Sequence, residues 1–420
     1  MTPKGTASHH AAALQSRRGT IYVLVLSIAG LLAAISVGAG AYTSAETRRT
    51  REAEASGVAR AAAQSAIEAT VGMIQADPTG ADWKPLAELA DFAATRSLGN
   101  AAVSVGIASS DGTTPLTEWT GSVYIDAFAR HGGWQHGLRA TLEPVVTNLE
   151  ALGHPIVVGG NLRVNGTSLT GEGIAVTNGV IQASSADIHI GTLASGTTGS
   201  TFHVAPTIRP EPMTLPDSSV ISLYLARATI IEISQLTGNK LKDVVLSSGS
   251  NPFGSTNASG IYAVRCHGNH LRISDLRVHG TLILIEPGHN SRITGHVFFE
   301  QRATNQPVLL VDGSISIETD SYDFSEEDQG INLNPTGSPF RGVTDTDTTD
   351  FYPSVFEGIV YVSGDVESSD LTTIEGSLIV GGNMTITGPM SVRPFTPDAP
   401  VDGMTGVARW RLLGLERITR

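Results

Sequence analysis

The sequence predicts a mainly β chain: an N-terminal transmembrane and amphipathic helix, a small α+β head, then a single-stranded β-solenoid, or β-helix. Three observations predict it. Residues 20–42 run 23 positions without a charge. Short apolar strings ending in Gly-Gly-Asn or Gly-Asp recur through the C-terminal two-thirds. The 420 residues include 46 glycines while only 16% are charged, a composition suited to many short strands joined by tight turns.

The charges bound the partners. The formal net charge is −13, and lysine occurs only at Lys4, Lys84, Lys240 and Lys242. An acidic chain with no basic run repels a phosphate backbone, so no nucleic acid partner is expected. The single cysteine, Cys266, rules out an intramolecular disulfide and a Cys-rich metal site.

Residues 1–19 are expected to be a tail and 20–42 a membrane-spanning helix. TIYVLVLSIAGLLAAISVGAGAY holds ten aliphatic residues between Ile21 and Val37. Each contributes about −0.3 to −0.6 kcal/mol to insertion, which outweighs Ser27, Ser36 and the glycines. A cleaved signal peptide is the alternative, with Ala39–Ala41 as the mimic of a cleavage site. Lys4, Arg17 and Arg18 before the span nearly balance Arg48, Arg49, Arg51 and Arg60 after it, so charge does not set the orientation. Residues 43–76 continue as an amphipathic helix rich in Ala, Glu, Arg and Gln. Val58, Ala62, Ala66, Ala69 and Met73 mark its apolar stripe, and Pro78 its stop.

Residues 77–152 predict a small α+β head, an antiparallel sheet packed on the helix. Asp111-Gly112 and Gly132-Gly133 are its hairpin signals, and Trp83, Trp119 and Trp134 its core or strand-face residues. Beyond it, IVVGGNLRVNG at 156–166 matches LIVGGNMTITG at 378–388, and VYVSGDV at 360–366 precedes the latter by 18 residues. Gly268, Arg272 and Ile273 recur 20 residues on as Gly288, Arg292 and Ile293. Such a period predicts coils that each bury an inward apolar row only by stacking on a neighbour. First coils are assigned to 153–204, a Pro-rich linker (Pro206, Pro210, Pro212, Pro216) to 205–217, the main solenoid to 218–395 and a cap to 396–420. In the cap, Trp410, Leu412, Leu413, Leu415 and Ile418 would cover the last coil. Residues 320–354 read as a long loop leaving the coils. A β-sandwich, or a pair of them, is the rival fold.

The string SRRGTIYVLVLSIAGLLAA, the Arg/Glu stretch after it and ASGVARAAAQSAIEAT resemble the N-terminal region of PilX-type, minor-pilin-like pilus assembly proteins. The resemblance covers residues 16–76. It implies a pilin-like head, a single-pass bacterial inner-membrane protein with residues 1–19 as a cytoplasmic tail and its large domain in the periplasm or at the cell surface, and pilin-like or secretion-system partners. It also implies prepilin-type cleavage between Gly19 and Thr20, although Leu24 stands at the fifth mature position, where major pilins carry Glu. The VSGDV and IVGGNMTI strings are similar to those of bactofilin-like envelope solenoids.

Two constellations could carry chemistry. Cys266, His267, His270, His279, His289 and His296 offer metal ligands, but strand neighbours face opposite sides, so Cys266 and His267 should diverge. Asp345, Asp347 and Asp350, with Asp320, Asp323, Glu326, Glu327 and Asp328 upstream, are the Ca²⁺ candidates, set against a merely solvated acidic loop. A carbohydrate-active β-helix enzyme would need a carboxylate pair, with Asp275 as one member. Walker, Rossmann, GxSxG and HExxH strings are absent. No catalytic residue and no cofactor other than Ca²⁺ is therefore assigned. The expected function is non-enzymatic: a structural or assembly component of a type IV pilus-like or secretion-like system, with surface polysaccharide binding as the alternative.

Overall fold

The computed structural model describes residues 9–89, 92–117, 119–195, 207–209, 211–320 and 322–419. The chain divides into two compact units, Met1–Val145 with Val407–Arg420, and Val146–Gly406. It is mainly β with one long N-terminal apolar helix.

In the first unit that helix runs His9–Ala76 without interruption. From Tyr22 to Tyr42 its large apolar side chains lie in the open, between 50% and 74% exposed. Further along, Ala59, Ala63, Ile67 and Ile74 are buried against an antiparallel sheet. The buried face is rotated from the expected stripe: Ala69 is exposed, and Val58 and Met73 are only half-buried. Spacing alone finds a helical face only to within a residue, and the larger side chains Ile67 and Ile74 decide which way it turns.

The sheet joins Arg96–Leu98, Ala101–Ser109, Val123–His131, Trp134–Asn148 and Thr405–Ile418 in that order. Gly132-Gly133 makes the expected tight hairpin, with His131 opposite Trp134 and both glycines at positive φ. Asp111-Gly112 lies instead in a longer loop, because pairing resumes only at Ser109 with Val123. The Asp111 carboxylate accepts from Thr114 Oγ1, from the Thr113 and Thr114 amides and from Ser109 Oγ, which holds it well below its ordinary pKa. Trp83 is buried, Trp119 is half-buried with its indole donating to the Ser122 carbonyl, and Trp134 is exposed on the strand face.

Within the C-terminal segment 396–420, residues 405–418 do not cap coils. Thr405–Ile418 is a strand of this antiparallel sheet, where Trp410 is buried edge-on to Trp83 at 5.8 Å. Leu412, Leu413 and Leu415 stay exposed. The last strand completes a hydrophobic sheet, which a sequence reading of terminal position alone does not show.

In the second unit, parallel strands pair across returns of the chain, 18 residues apart at Val366 and Met384 and 20 apart at Arg272 and Arg292. Identical positions therefore line up in rows. Ile231, Val264, Leu284, Val311, Val362, Val380 and Val158 form one such row, every member fully buried. A second ladder aligns Leu241, Ile273, Ile293 and Ile317, and a third Val278, Phe299, Phe356, Ile374 and Val392. Full burial of such a side chain is worth about 1.5–3 kcal/mol, so each row is a large part of the stability.

The first ladder is buried on both faces. Its outward row, including Ile283, Leu310, Tyr361 and Ile379, is covered by the helix Ser219–Leu225 and by Met213, Val401 and Met404. This double burial explains why its strands read as unbroken apolar runs such as TLILI.

Two expected boundaries are displaced. Residues 156–164 pair directly with 378–386, so the coils assigned to 153–204 are not a separate stack: they extend the ladders beyond the last strands of 218–395. The stretch 205–217 is not a free linker either. Thr207–Ile208 pairs with Ala194–Ser195, Met213 is buried, and Tyr361 Oη donates to the Pro216 carbonyl at 3.2 Å. Pro206 and Pro210 lie outside the described residues.

Candidate functional site

Residues 320–354, expected as a loop in solvent, fold back onto the ladders. Phe324–Ser325 pairs antiparallel with Phe351–Tyr352, and the buried residues Val245, Phe298, Phe324, Leu333, Tyr352 and Val355 form a small apolar cluster of their own. Arg277, itself fully buried, fastens the excursion. Its Nη1 donates to the carbonyls of Leu333 (2.7 Å) and Ser338 (2.8 Å), its Nη2 to that of Pro339 (2.6 Å), and its Nε to Glu300 at 2.7 Å. The guanidinium also faces the rings of Phe340 and Tyr352, 5.5 and 5.8 Å from their centroids.

Local sequence then builds a polar pocket. Ser325 caps a one-turn helix, Glu326–Gln329, by accepting from the Asp328 amide, and Gly330 ends it at φ 68°. That turn aims the Glu326 side chain inward, where it is fully buried. Its carboxylate accepts from the Leu333 amide at 2.5 Å and from Tyr352 Oη at 3.1 Å. Burial, followed by the Glu326 charge, pushes the Tyr352 phenol upward. Asp345 and Asp350 approach from the irregular chain that leads into the returning strand. One oxygen of each of Glu326, Asp345 and Asp350 lies within 4.8 Å of the other two. Asn334, 1% exposed, is wedged between the two aspartates and donates from Nδ2 to Asp345 Oδ2 (3.1 Å) and to Asp350 Oδ2 (2.8 Å). Its Oδ1 is buried with no hydrogen-bond partner.

Of the expected Ca²⁺ ligands the structure brings together Asp345, Asp350 and, from the upstream acids, Glu326, but not Asp347. Asp347 is exposed and caps its own turn, accepting from Thr349 N and Oγ1. Glu326 takes its place. Asp320, Asp323 and Glu327 stay at the surface. Spacing two apart in the chain picked out Asp347, whereas the antiparallel pairing of 324–325 with 351–352 is what delivers Glu326. The string Asn332-Leu333-Asn334 was the missed signal: Asn332 also donates to Asp345, at 3.1 Å.

The cysteine–histidine constellation disperses. Cys266 points into the core, where burial pushes its thiol up to about 12, while His267 is exposed beside Glu232. His279 is half-buried, and desolvation together with Arg277 and Arg302 pulls it down to about 4. His296 stacks on Phe324 at 5.4 Å. Asp275 is met by Lys242 at 3.5 Å.

Two outward rows remain. Lys240, Arg272 and Arg292 are direct neighbours on successive strands and line one groove with His270 and His289. Glu300, Glu357 and Glu375 stack likewise, followed by Arg393. Burial first, then the neighbouring Glu300 and Glu375, raises Glu357. Gly19 and Thr20 lie within the long helix, and their side chains fall outside the described residues.

Among known proteins, no family model matches this chain, and no curated protein matches it. A solved structure, the competence-associated pilin ComZ from Thermus thermophilus, is similar at 12% identity, covering 87% of this chain and 97% of its own. Its TM-score is 0.24, a likeness too slight to carry an argument about this chain's fold or function.

Proposed function

We propose that this protein is a membrane-anchored bacterial envelope component, a structural or assembly part of a pilus-like or secretion-like system. One observation carries the reading. A single helix presents an uncharged, exposed apolar run from Tyr22 to Tyr42 and then, without a break, buries Ala63, Ile67 and Ile74 on an antiparallel sheet. It is long and apolar enough to cross a membrane, and 20 or so apolar residues are what a bilayer core requires. The unpacked run is compatible with a single-pass anchor and with lateral packing against other such helices in the bilayer. In this reading the parallel ladders are coils of a β-solenoid serving as a rigid spacer or docking face on the periplasmic or outer side, and the chain is non-enzymatic. Cleavage after Gly19 belongs to the same proposal.

Blue-native electrophoresis of a mild detergent extract, with mass spectrometry of the band, tests it. The expected result is a complex containing other proteins with a single N-terminal apolar helix and a small sheet-bearing head. A monomer with no such companions overturns the reading. N-terminal sequencing of the isolated protein then distinguishes a chain beginning at Thr20 from an uncut one.

The row Lys240, Arg272 and Arg292 favours a second reading, binding of an anionic polysaccharide. Adjacent strands set such cations about 4.8 Å apart, close to the repeat of a sugar chain. Retention on a polyuronate column that falls with salt and disappears in an Arg272→Ala/Arg292→Ala double variant would support it.

A further inference from the structure

We propose that Glu326, Asp345, Asp350 and Asn334 form a Ca²⁺ site that locks residues 320–354 onto the ladders, a role that stands whether or not the chain belongs to a pilus-like system. Three carboxylates converge with their nearest oxygens within 4.8 Å of one another, and Glu326 is wholly out of solvent. The donors that reach the two aspartates from inside the pocket are the neutral amides of Asn332 and Asn334. The buried Arg277 is spent on Glu300 and on three backbone carbonyls.

The second observation is Asn334. Its carboxamide sits between Asp345 and Asp350 with the nitrogen toward them, which leaves Oδ1 buried and without a donor. An orphaned buried acceptor carries a desolvation cost that native structures rarely leave uncompensated. Nitrogen and oxygen of an amide occupy interchangeable positions, and their assignment follows the surrounding network. Half a turn about the last side-chain bond puts Oδ1 where Nδ2 stands, facing both carboxylates. With a cation between them, the amide oxygen becomes a ligand instead of an orphan.

The donor set names the ion. All four side chains offer oxygen, the hard ligand of Ca²⁺ and Mg²⁺. Three oxygens within 4.8 Å of one another suit the adaptable shell of Ca²⁺, with bonds of about 2.3–2.6 Å, while Mg²⁺ demands about 2.0–2.1 Å and rigid octahedral order. The ligands come from a one-turn helix, a turn and the approach to a short strand, so ion binding would tie these pieces of the excursion together.

The test uses the full chain in detergent, stripped with chelator and dialysed. Titration with CaCl₂ should raise the thermal midpoint in a saturable way, on the order of 5 °C at saturation. MgCl₂ at the same concentration should do much less. Tb³⁺ should bind and light up through the neighbouring Tyr352, and Ca²⁺ should displace it. Asp345→Asn and Asp350→Asn relieve repulsion in the empty site, so both should fold in chelator and bind Ca²⁺ at least tenfold more weakly. Asp347→Asn should respond like the parent. No saturable Ca²⁺ shift and no displaceable Tb³⁺ emission in the parent overturns the proposal. So does an unchanged response in folded Asp345→Asn and Asp350→Asn, or equal loss in Asp347→Asn.

Discussion

Arg277 is a single buried side chain that ties Leu333, Ser338 and Pro339 to Glu300. It carries one buried charge answered by one carboxylate and three carbonyls. Arg277→Met keeps most of the volume but strands Glu300 and those carbonyls, so a loss of about 3–5 kcal/mol is expected. Urea unfolding followed by circular dichroism would show it. Tryptophan fluorescence would not, because Trp83, Trp119, Trp134 and Trp410 all lie in the other unit. Two titrating residues act in opposite directions. His279 is held neutral, with its pKa pulled from 6.5 to about 4, so the unfolded chain binds the extra proton. Stability should therefore fall as pH drops from 6.5 toward 4, and His279→Gln should flatten that slope. Glu357 has a pKa raised above its ordinary 4.5, so stability is lost as pH rises from that ordinary value through the raised one. Glu357→Gln should raise the melting temperature at neutral pH and lose that advantage in acid.

At the scale of elements, glycine chemistry separates the two kinds of structure. Gly381 packs so closely on the strand turn beneath it that an added Cβ would meet the Ser363 carbonyl oxygen, with the carbonyl carbon at 3.1 Å. Beside it, the side chains of Asp365, Asn383 and Asn161 form a ladder: Asn383 N reaches Asp365 Oδ1 at 2.6 Å, and Asn161 N reaches Asn383 Oδ1 at 3.0 Å. Gly381→Ala should cost about 1–3 kcal/mol by forcing these turns apart. Gly72, in the long helix, has nothing within 4 Å of such a Cβ, and Gly72→Ala should stabilise by about 0.5–1 kcal/mol. Thermal melts of the two variants, followed by circular dichroism, should move in opposite directions.

For the whole molecule, deletion of residues 20–42 should move the protein from carbonate-washed membranes to the soluble fraction with both folded units intact. Retention of the truncated chain in the pellet would remove the anchor from the reading. The apolar run itself was legible without coordinates, because charge exclusion over 23 positions has few other causes. So was the likeness of Gly159-Gly160-Asn161 to Gly381-Gly382-Asn383. These residues proved to be stacked neighbours although 222 positions separate Asn161 from Asn383.

Local order was written in the chain, since hydrophobic periodicity, turn residues and repeated strings act through near neighbours along it. The long helix, the Gly132-Gly133 hairpin and the pairing of Arg272 with Arg292 follow from that. Only the tertiary structure decided that residues 156–164 extend the ladder beyond 378–386, that Thr405–Ile418 joins the antiparallel sheet, and that Glu326 rather than Asp347 meets Asp345 and Asp350. Each of these joins segments that no spacing rule connects. The choice among them rests on which apolar faces and unpaired backbone groups can satisfy one another across the fold, and that is a property of the assembled chain.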